Sequence, residues 1–374
     1  MSRFSTAVFA ALALLAAACG GGEEADAGPE TTTTSSTTTA APVVETEDES
    51  AMEEDESEAV ATTEAPADLG PVFPLSGEPL GDAEAPTTPA LVLKISNNNA
   101  NSREALIGLN HADIVYEERI EANATRFAAV FHSFVPDEIG PVRSARTSDI
   151  DIISNLNNPI FGYSGSNAGV AAQLAEADSA GLLTRVTAET GASPFYRNSD
   201  FSAPDNLMVG GPEMLELANE DASAPSPVFD RSDTVVALGF PSPGAWVQAS
   251  SDAAYLWDDE SGTYLRYQSE QPHMTQDGVQ VAPTNVVVLI TTYVASQIDA
   301  SSVDAQTIGS GPAIVYANGF RVEGTWTREF ARDPYTLTTP DGQTIGLAPG
   351  LTWVSLTPEG THRELTLGEV DTLR

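Results

Sequence analysis

Apolar residues in this chain come in short runs that are separated by turn-forming residues. Residues 90–95, 113–121 and 126–134 have the length and composition of β-strands, and Asn123-Ala124 predicts a hairpin between the last two. In residues 126–134 both alternating faces are largely apolar. A strand of that kind is predicted to lie inside a sheet that is covered on both sides.

Three further segments of the first half predict helices, and the middle one has Val170, Leu174 and Ala177 at helical spacing. The three segments are residues 148–156, 167–177 and 212–219. Together with the strands, they predict an N-terminal α/β domain over residues 73–219, built as a sheet with covering helices.

The pattern changes after Pro225-Ser226-Pro227, where short β-type runs alternate with turn dipeptides such as Asn318-Gly319 and Asp341-Gly342. These dipeptides supply the positive φ that tight hairpins require. The pattern predicts a β-rich C-terminal domain over residues 228–360 and, for the whole body, a mixed α/β fold of the α+β type. Its strands are expected at residues 234–238, 253–257, 263–267, 286–292, 313–317, 320–327, 335–338 and 352–356.

The first nineteen residues have the order of an export signal. Arg3 is followed by an apolar run of small residues, 7–18, and then by Cys19 and three glycines. The run is too short to span a bilayer, because a spanning helix needs about 20 apolar residues. Cys19 looks like the lipid-modified first residue of a bacterial lipoprotein, which predicts an extracytoplasmic protein anchored to the cell membrane by lipid. An ordinary cleaved signal with a chance cysteine is the alternative.

Residues 20–70 contain few large apolar residues and no Lys or Arg, and 15 of the 54 acidic residues lie there. Such a segment cannot bury enough apolar surface to fold, so we predict a disordered tether between the anchor and the body. The body, residues 71–374, carries a net charge of −24. A field of that sign repels phosphate groups at long range, which argues against a nucleic-acid partner.

One block differs from this acidic background, namely Gly140-Pro141-Val142-Arg143-Ser144-Ala145-Arg146. A Gly-Pro turn followed by two arginines three residues apart predicts the start of a helix. Arg126 lies upstream, and Glu117, Glu118 and Glu121 supply the opposite charge. Two interpretations remain open. The arginines bind an anion or carboxylate, with help from backbone N–H groups, or they pair with the glutamates in a buried structural network.

This block is one of several that resemble the YerB-like lipoproteins, a family without an assigned activity. The matching residues are Ala112-Asp113-Ile114-Val115-Tyr116-Glu117, Thr125-Arg126-Phe127, residues 139–146, His273, Gly324-Thr325-Trp326 and Pro349-Gly350-Leu351-Thr352-Trp353. The likeness covers most of residues 73–358. The chain departs from the family pattern at Ser96-Asn97, where the family tends to have Asp-Asn, and at Pro204-Asp205-Asn206-Leu207-Met208, where it tends to have Pro-His-Asn-Leu-Tyr. The resemblance implies a two-part, mixed α/β extracytoplasmic lipoprotein, and it implies no reaction.

Other motifs do not point to a reaction. Gly162-Tyr163-Ser164-Gly165-Ser166 lacks the spacing of a nucleophile elbow. The four histidines show no metal-ligand spacing, so neither a metal nor a cofactor is expected. His273 precedes a turn, where we expect it to be exposed, and its place in the family pattern makes it a candidate site residue.

Two functions follow from these observations. The first is a non-enzymatic envelope lipoprotein that binds a ligand or partner, with a site formed by Glu117, Arg126, Arg143, Arg146, Asn206 and His273. The second is a cell-envelope glycan (peptidoglycan) hydrolase in which Glu117 or Glu118 is an acid/base. An open groove with two carboxyl groups about 5–9.5 Å apart would favour the hydrolase. A closed Arg–Glu network would favour the binding protein.

Overall fold

The protein is described here by a computed structural model that covers residues 70–191, 194–249, 252–299 and 301–374. The predicted export signal, the lipidation site Cys19 and all but the last residue of the predicted tether lie outside the described residues. The described part is mostly β-sheet, with a few short helices between the strands.

The strands and helices are numbered in chain order. The strands are β1 Leu91–Ser96, β2 Ile114–Arg119, β3 Thr125–Phe131, β4 Glu138–Ile139, β5 Ile160–Tyr163, β6 Thr184–Thr187, β7 Phe195–Arg197, β8 Leu207–Gly210, β9 Phe240–Pro241, β10 Gly244–Gln248, β11 Asp252–Asp258, β12 Thr263–Gln268, β13 Gln271–Pro272, β14 Asn285–Ile290, β15 Tyr293–Ala295, β16 Val303–Ala305, β17 Gly309–Ala317, β18 Phe320–Arg328, β19 Thr336–Thr338, β20 Thr352–Thr357 and β21 His362–Glu364. The helices are α1 Ala100–Glu104, α2 Asp149–Ile153, α3 Ala168–Ser179, α4 Gly211–Leu215, α5 Val235–Leu238 and α6 Leu367–Leu373.

A large mixed sheet runs through both halves of the body in the order β19-β18-β17-β14-β20-β2-β3-β1-β5-β6. Strand β20, from the second half, lies between β2 and β14 and is parallel to both. The pairings make β6, β5, β1, β2, β20 and β14 run in one direction. Their carboxyl ends therefore lie along one edge of the sheet, which we call the carboxyl edge.

Both faces of the large sheet are buried. On one face, side chains of β1, β2 and β3 share a core with apolar residues of α2 and α3. On the other face, the core continues into a second sheet with the order β13-β12-β11-β10-β21. All residues of β3 are buried, which confirms the predicted central strand. This arrangement requires apolar residues at successive positions, as the sequence has them.

Most of the predicted strands are present, within a few residues of their expected bounds. The hairpin between β2 and β3 is confirmed. So is the turn between β17 and β18, where Asn318 and Gly319 both have positive φ, 51° and 74°. Alternating apolar residues together with turn dipeptides were sufficient to place these elements.

Residues 234–238 were predicted to be a strand, and the structure has the short helix α5 there. One helical turn brings Val235 and Leu238 to the same side. Val235 is buried in the core and Leu238 packs against it, whereas Val236 is exposed. A run of four apolar residues fits a buried strand and a helical turn equally well, so the pattern alone predicted the wrong element.

The predicted helix at Arg143 and Arg146 is also absent, since α2 begins only at Asp149. The backbone of this segment instead bonds to the ends of two strands. The N–H of Arg143 donates to the carbonyl of Lys94 over 2.7 Å, and its carbonyl accepts from the N–H of Ser164 over 2.9 Å. These groups are therefore not available for helical hydrogen bonds. The segment passes across the carboxyl edge between β1 and β5.

Candidate functional site

Three of the predicted site residues meet at the carboxyl edge. Arg126 lies near the start of β3, opposite Ser96 of β1 and Glu118 of β2. Arg143 and Arg146 belong to the segment that crosses the same edge. We call Arg126, Arg143 and Arg146 the arginine cluster. In open sheets with parallel strands, ligands are commonly bound just outside the carboxyl ends.

The two outer arginines of the cluster each lie near one carboxylate. Arg146 pairs with Glu121 through Nε, 2.7 Å from Oε2, and through Nη2. Partial burial would raise the pKa of Glu121, but the hydrogen bonds to its carboxylate and the charges of Arg146 and Arg126 together outweigh this and lower it. At the other end, Arg143 Nε lies 3.7 Å from Asp205 Oδ1, beyond hydrogen-bond distance. Asp205 is one of the residues at which the chain departs from the YerB-like pattern.

Arg126 differs from both of its neighbours. Its side chain is 96% buried, and within the described residues it forms no ion pair. Nη1 donates to the carbonyl of Ser144 over 2.8 Å, while Nε is buried and has no partner among those residues. Burial and the nearby charge of Arg146 lower its pKa to about 9. The cluster thus holds a buried cation that lacks a carboxylate of its own.

A second ionic group lies beneath the cluster on the same face of the sheet. The only lysine, Lys94, is fully buried and binds Glu118 and Asp149, the latter at 2.5 Å. Asp149 also accepts from the N–H of Arg146 over 2.6 Å. Burial and the charge of Asp149 raise the pKa of Glu118, although Lys94 opposes this. Because Lys94 is shared by two carboxylates, this group holds the base of the cluster in place.

Glu117 does not join the arginine cluster. Neighbouring strand residues point to opposite faces, so Glu117 faces the second sheet, where its partner is Arg266. Arg266 Nη2 lies 3.1 Å and 3.2 Å from its two oxygens. Three further donors bind the carboxylate, namely Thr125 Oγ1 at 2.8 Å, Trp353 Nε1 at 3.1 Å and Tyr255 Oη at 3.2 Å. We call this group the Glu117–Arg266 network.

Aromatic rings enclose the cation of this network. The guanidinium of Arg266 lies 4.7 Å from the ring centre of Trp353, and the rings of Phe127 and Tyr255 lie at 5.5 Å and 5.6 Å. Burial would lower the pKa of Arg266, but Glu117 and Tyr255 outweigh this and raise it. A fully buried, paired and stacked arginine is a structural group that joins the two sheets.

His273 was expected to be exposed, and this was wrong, because its side chain is 99% buried. Strand β13 folds back on β12, and the N–H of His273 donates to the carbonyl of Arg266. This brings the imidazole Nδ1 against Arg266 Nη1. Burial and the charge of Arg266 lower the pKa of His273 well below its usual value. A neutral ring with Nδ1 as the acceptor fits these contacts.

The hydrogen bonds of the Asn206 side chain go to the loop before β8 and not to the arginine cluster. Its Nδ2 donates to the carbonyls of Asn198 and Phe201, both at 3.1 Å, and its Oδ1 accepts from Arg197 over 2.7 Å. The amide therefore fastens the loop before β8. Of the predicted site residues, the structure brings together Arg126, Arg143 and Arg146. Glu117 and His273 belong to the Glu117–Arg266 network, and Asn206 bonds to the loop before β8.

Several charged partners were not singled out as site residues from the sequence. They are Lys94, Asp149 and Arg266, together with Asp205, which was noted only as a departure from the family pattern. A signal existed for two of them. Lys94 is the only lysine and lies within an otherwise apolar strand, and Arg266 alternates with the core residue Tyr264 in β12. A charged residue at a core position is rarely unpaired, so each predicts a buried partner. Asp149 and Asp205 follow no comparable pattern.

Nothing in the described ranges forms a group of three or more acidic, histidine or cysteine side chains that could hold a metal ion. Among the helices of the described residues, none is long and apolar enough to cross a membrane.

Comparison with known proteins agrees with this architecture. Residues 75–224 match the family described as "Protein of unknown function (DUF3048) N-terminal domain", and residues 245–354 match the C-terminal domain of the same family. The chain belongs to the DUF3048 family. The predicted resemblance to YerB-like proteins is thereby confirmed.

A curated relative and a solved structure, both named YerB and both from Bacillus subtilis, are similar to this chain. "Putative lipoprotein YerB" of strain 168 is 27% identical over 297 residues, which is 74% of this chain and 84% of that protein. The crystal structure of YerB protein has a TM-score of 0.66 at 21% identity and covers 79% of this chain and 100% of that one. The structural likeness concerns the fold alone. The DUF3048 description states no activity.

Proposed function

We propose that this DUF3048 protein is a lipid-anchored, extracytoplasmic lipoprotein of the cell envelope, and that its body binds an anionic ligand at the arginine cluster. The name of YerB as a lipoprotein and the position of Cys19 support the anchor. We also infer that residues 73–219 and 228–360 are two parts of the body, and that α2 and α3 cover the sheet of the first part.

The proposal that the arginine cluster binds an anion rests mainly on Arg126. A buried guanidinium without an ion pair is unfavourable, because removing a charge from water costs more than its remaining contacts return. Two further arginines beside it add repulsion. An oxyanion that accepts from Arg126 and Arg143 would relieve both effects, and charge-assisted hydrogen bonds of this kind are among the strongest in proteins. The unpaired arginine therefore lowers the stability of the free protein, and a bound anion would restore that stability.

The hydrolase has less support. Glu117 is enclosed by Arg266 and three other donors, and Glu118 is buried against Lys94. A glycan acid/base must reach the sugar oxygen, whereas both of these carboxylates face the protein interior. A closed network of this kind favours the binding protein.

Binding can be tested through the melting temperature. A ligand that binds only the folded state stabilises it by about 2.7 kcal/mol at a hundred times its dissociation constant. We expect acetate, sulfate or phosphate to raise the melting temperature of the native protein relative to chloride. Ionic strength must be held constant, because salt alone screens the self-repulsion of a body with net charge −24.

Arg143→Ala should abolish this rise, while the unliganded protein melts within a few degrees of the native one. Arg363→Ala is the matched control, since Arg363 is also an arginine with a carboxylate partner, Glu369, but lies at the surface away from the cluster. The same anion effect in all three proteins would refute binding at the cluster.

The anchor can be tested separately. Cys19→Ser should release the protein into the medium or leave it as unprocessed precursor. Processed Cys19→Ser protein that still fractionates with membranes would contradict lipidation at Cys19.

A further inference from the structure

A large cleft lies at the carboxyl edge, where β2, β14 and β20 end and β17 begins. Its volume is about 820 Å³, which is within the range of about 300–1,000 Å³ that is usual for small-molecule sites. We call this cleft, between residues 290–292 and 308–312, the strand-end cleft. No residue of the arginine cluster lines it. It is therefore a separate place at which this edge of the sheet can hold a ligand.

The cleft exists because two neighbouring strands separate. The pairing of β14 with β17 stops one residue short of Pro312. Proline has no N–H group, so it cannot donate to the carbonyl of Ile290, which accepts from Trp326 Nε1 over 3.1 Å instead. The two segments meet again only where the N–H of Gln306 donates to the carbonyl of Thr292 over 2.9 Å. The space between these two points is the cleft.

One residue of β17 directs both of its backbone groups away from β18. Ala317 and Phe320 flank the two-residue turn after β17 and therefore form a hydrogen-bonded pair of the ladder. Bonded and non-bonded pairs alternate along an antiparallel ladder. The unbroken register thus directs the backbone groups of Gly309 and Gly311 to β18 and those of Ser310 to the opposite edge. Ser310 lines the cleft, and no strand of the described residues pairs with it there.

The β14 side of the cleft contributes a hydroxyl group. Thr291 lines the cleft and is buried, and its Oγ1 has no hydrogen-bond partner among the described residues. Its N–H donates to the carbonyl of Thr357 over 2.9 Å, which fixes the backbone at this position. Buried polar atoms are nearly always bonded, so the free hydroxyl indicates a missing partner.

Side chains that both donate and accept hydrogen bonds make up most of the polar lining. They are Thr291, Thr292, Gln306 and Ser310. Aromatic surface lies beside them, from Trp326 and from the partly exposed Tyr293. A lining of this kind fits a saccharide, whose hydroxyl groups donate and accept and whose C–H groups are apolar.

The charges of the lining favour a neutral ligand. Among the described residues that line the cleft, Arg119 is the one cation and Glu359 the one anion, so their charges balance. A neutral ligand also avoids the repulsion that a body of net charge −24 exerts on anions. Glycan hydrolysis needs two carboxyl groups, whereas this lining supplies one. The cleft is therefore suited to binding a glycan and not to cleaving it.

We propose that the strand-end cleft binds a neutral oligosaccharide. Sugar hydroxyl groups bond to the N–H and C=O of Ser310 and to Thr291 Oγ1, and one sugar ring packs against Tyr293. This inference goes beyond the proposed function, because it assigns a second site with a different class of ligand.

Calorimetric titration of the whole protein tests this inference. The probes are the neutral tetrasaccharides cellotetraose, maltotetraose and chitotetraose, the charged tetragalacturonate, and a blocked tetra-alanine peptide, all at constant ionic strength. At least one neutral tetrasaccharide should bind about tenfold or more tightly than tetragalacturonate and the peptide, a difference of about 1.4 kcal/mol.

Thr291→Val removes the unbonded hydroxyl and keeps the shape of the side chain. It should weaken saccharide binding about tenfold, as for one lost hydrogen bond, without lowering the melting temperature. Thr307→Val is the matched control and should leave binding unchanged, since Thr307 is also buried but does not line the cleft. Ser310→Pro removes the backbone donor and should weaken binding more than Ser310→Ala, which keeps it.

Three results would overturn this inference. The first is that no neutral tetrasaccharide binds, and the second is that the peptide or tetragalacturonate binds most tightly. The third is that neither Thr291→Val nor Ser310→Pro weakens saccharide binding. None of these results bears on the arginine cluster, whose anion binding is measured independently.

Discussion

Glu117 and Glu118 are adjacent in the chain, yet the fold assigns them to different networks, because consecutive strand residues point to opposite faces. Glu117 closes a pair with Arg266, and Glu118 shares Lys94 with Asp149. From the sequence, all charged residues near Glu117 were assigned to one site, because the sequence shows which residues are close in the chain but not towards which face of the sheet each side chain points. The register between β2 and β3 places these charged residues on opposite faces of the sheet and so divides them into two networks.

Removing Glu117 should be costly. Glu117→Ala leaves the fully buried Arg266 without its carboxylate, and breaking a buried pair in this way costs about 3–5 kcal/mol. Glu323→Ala is the matched control, because it removes one of the two carboxylate partners of Arg321 at the surface, where such pairs contribute about 0–1 kcal/mol. Urea unfolding of both variants measures the difference. Similar small losses would show that the Glu117–Arg266 network is not structural.

His273 makes stability depend on pH. Its pKa is lowered in the folded state, so the unfolded chain binds the proton more tightly, and stability is lost as pH falls below 6.5. The slope approaches about 1.4 kcal/mol per pH unit for one such group. His273→Asn keeps an acceptor for Arg266 and should make the curve between pH 6.5 and 5 less steep, while His132 and His362, whose pKa values burial also lowers, account for the remaining slope. The exposed His111→Gln should not, and equal slopes in both variants would refute this role for His273.

At the scale of elements, the sequence predicted strands where both periodicity and turns agreed, as in β17 and β18. It failed where tertiary contacts decide. The segment with Arg143 and Arg146 bonds to β1 and β5, which are distant in the chain, and α5 satisfies a core position that a strand could also have filled. Local propensity contains no information on such partners.

The turn between β17 and β18 offers a test of element geometry. Gly319 has φ 74°, and a Cβ there would lie 2.7 Å from Trp257 Nε1. Gly262, in the turn before β12, has φ 67° but open space around it. Gly262→Ala should cost about 1–2 kcal/mol from backbone strain alone. We expect Gly319→Ala to cost more in thermal unfolding, and equal losses would mean that the contact with Trp257 is unimportant.

For the whole molecule, composition separates the acidic N-terminal segment from the body. The body also has the extensive apolar cores that independent folding requires. A chain that begins at Gly70 should therefore melt cooperatively within a few degrees of the full-length protein. A large decrease in its melting temperature would show that residues before Gly70 stabilise the body.

The central claim is that Arg126 is held for a ligand and not for the fold. The measurement that tests it most directly is the free energy of unfolding of Arg126→Leu in chloride, without other anions. Replacing an unpaired buried charge by an apolar side chain should leave stability within about 1 kcal/mol of the native value or increase it. The same variant should lose all stabilisation by added carboxylate. A loss of about 3–5 kcal/mol in chloride, as for a broken buried pair, would contradict the account and make Arg126 part of the scaffold.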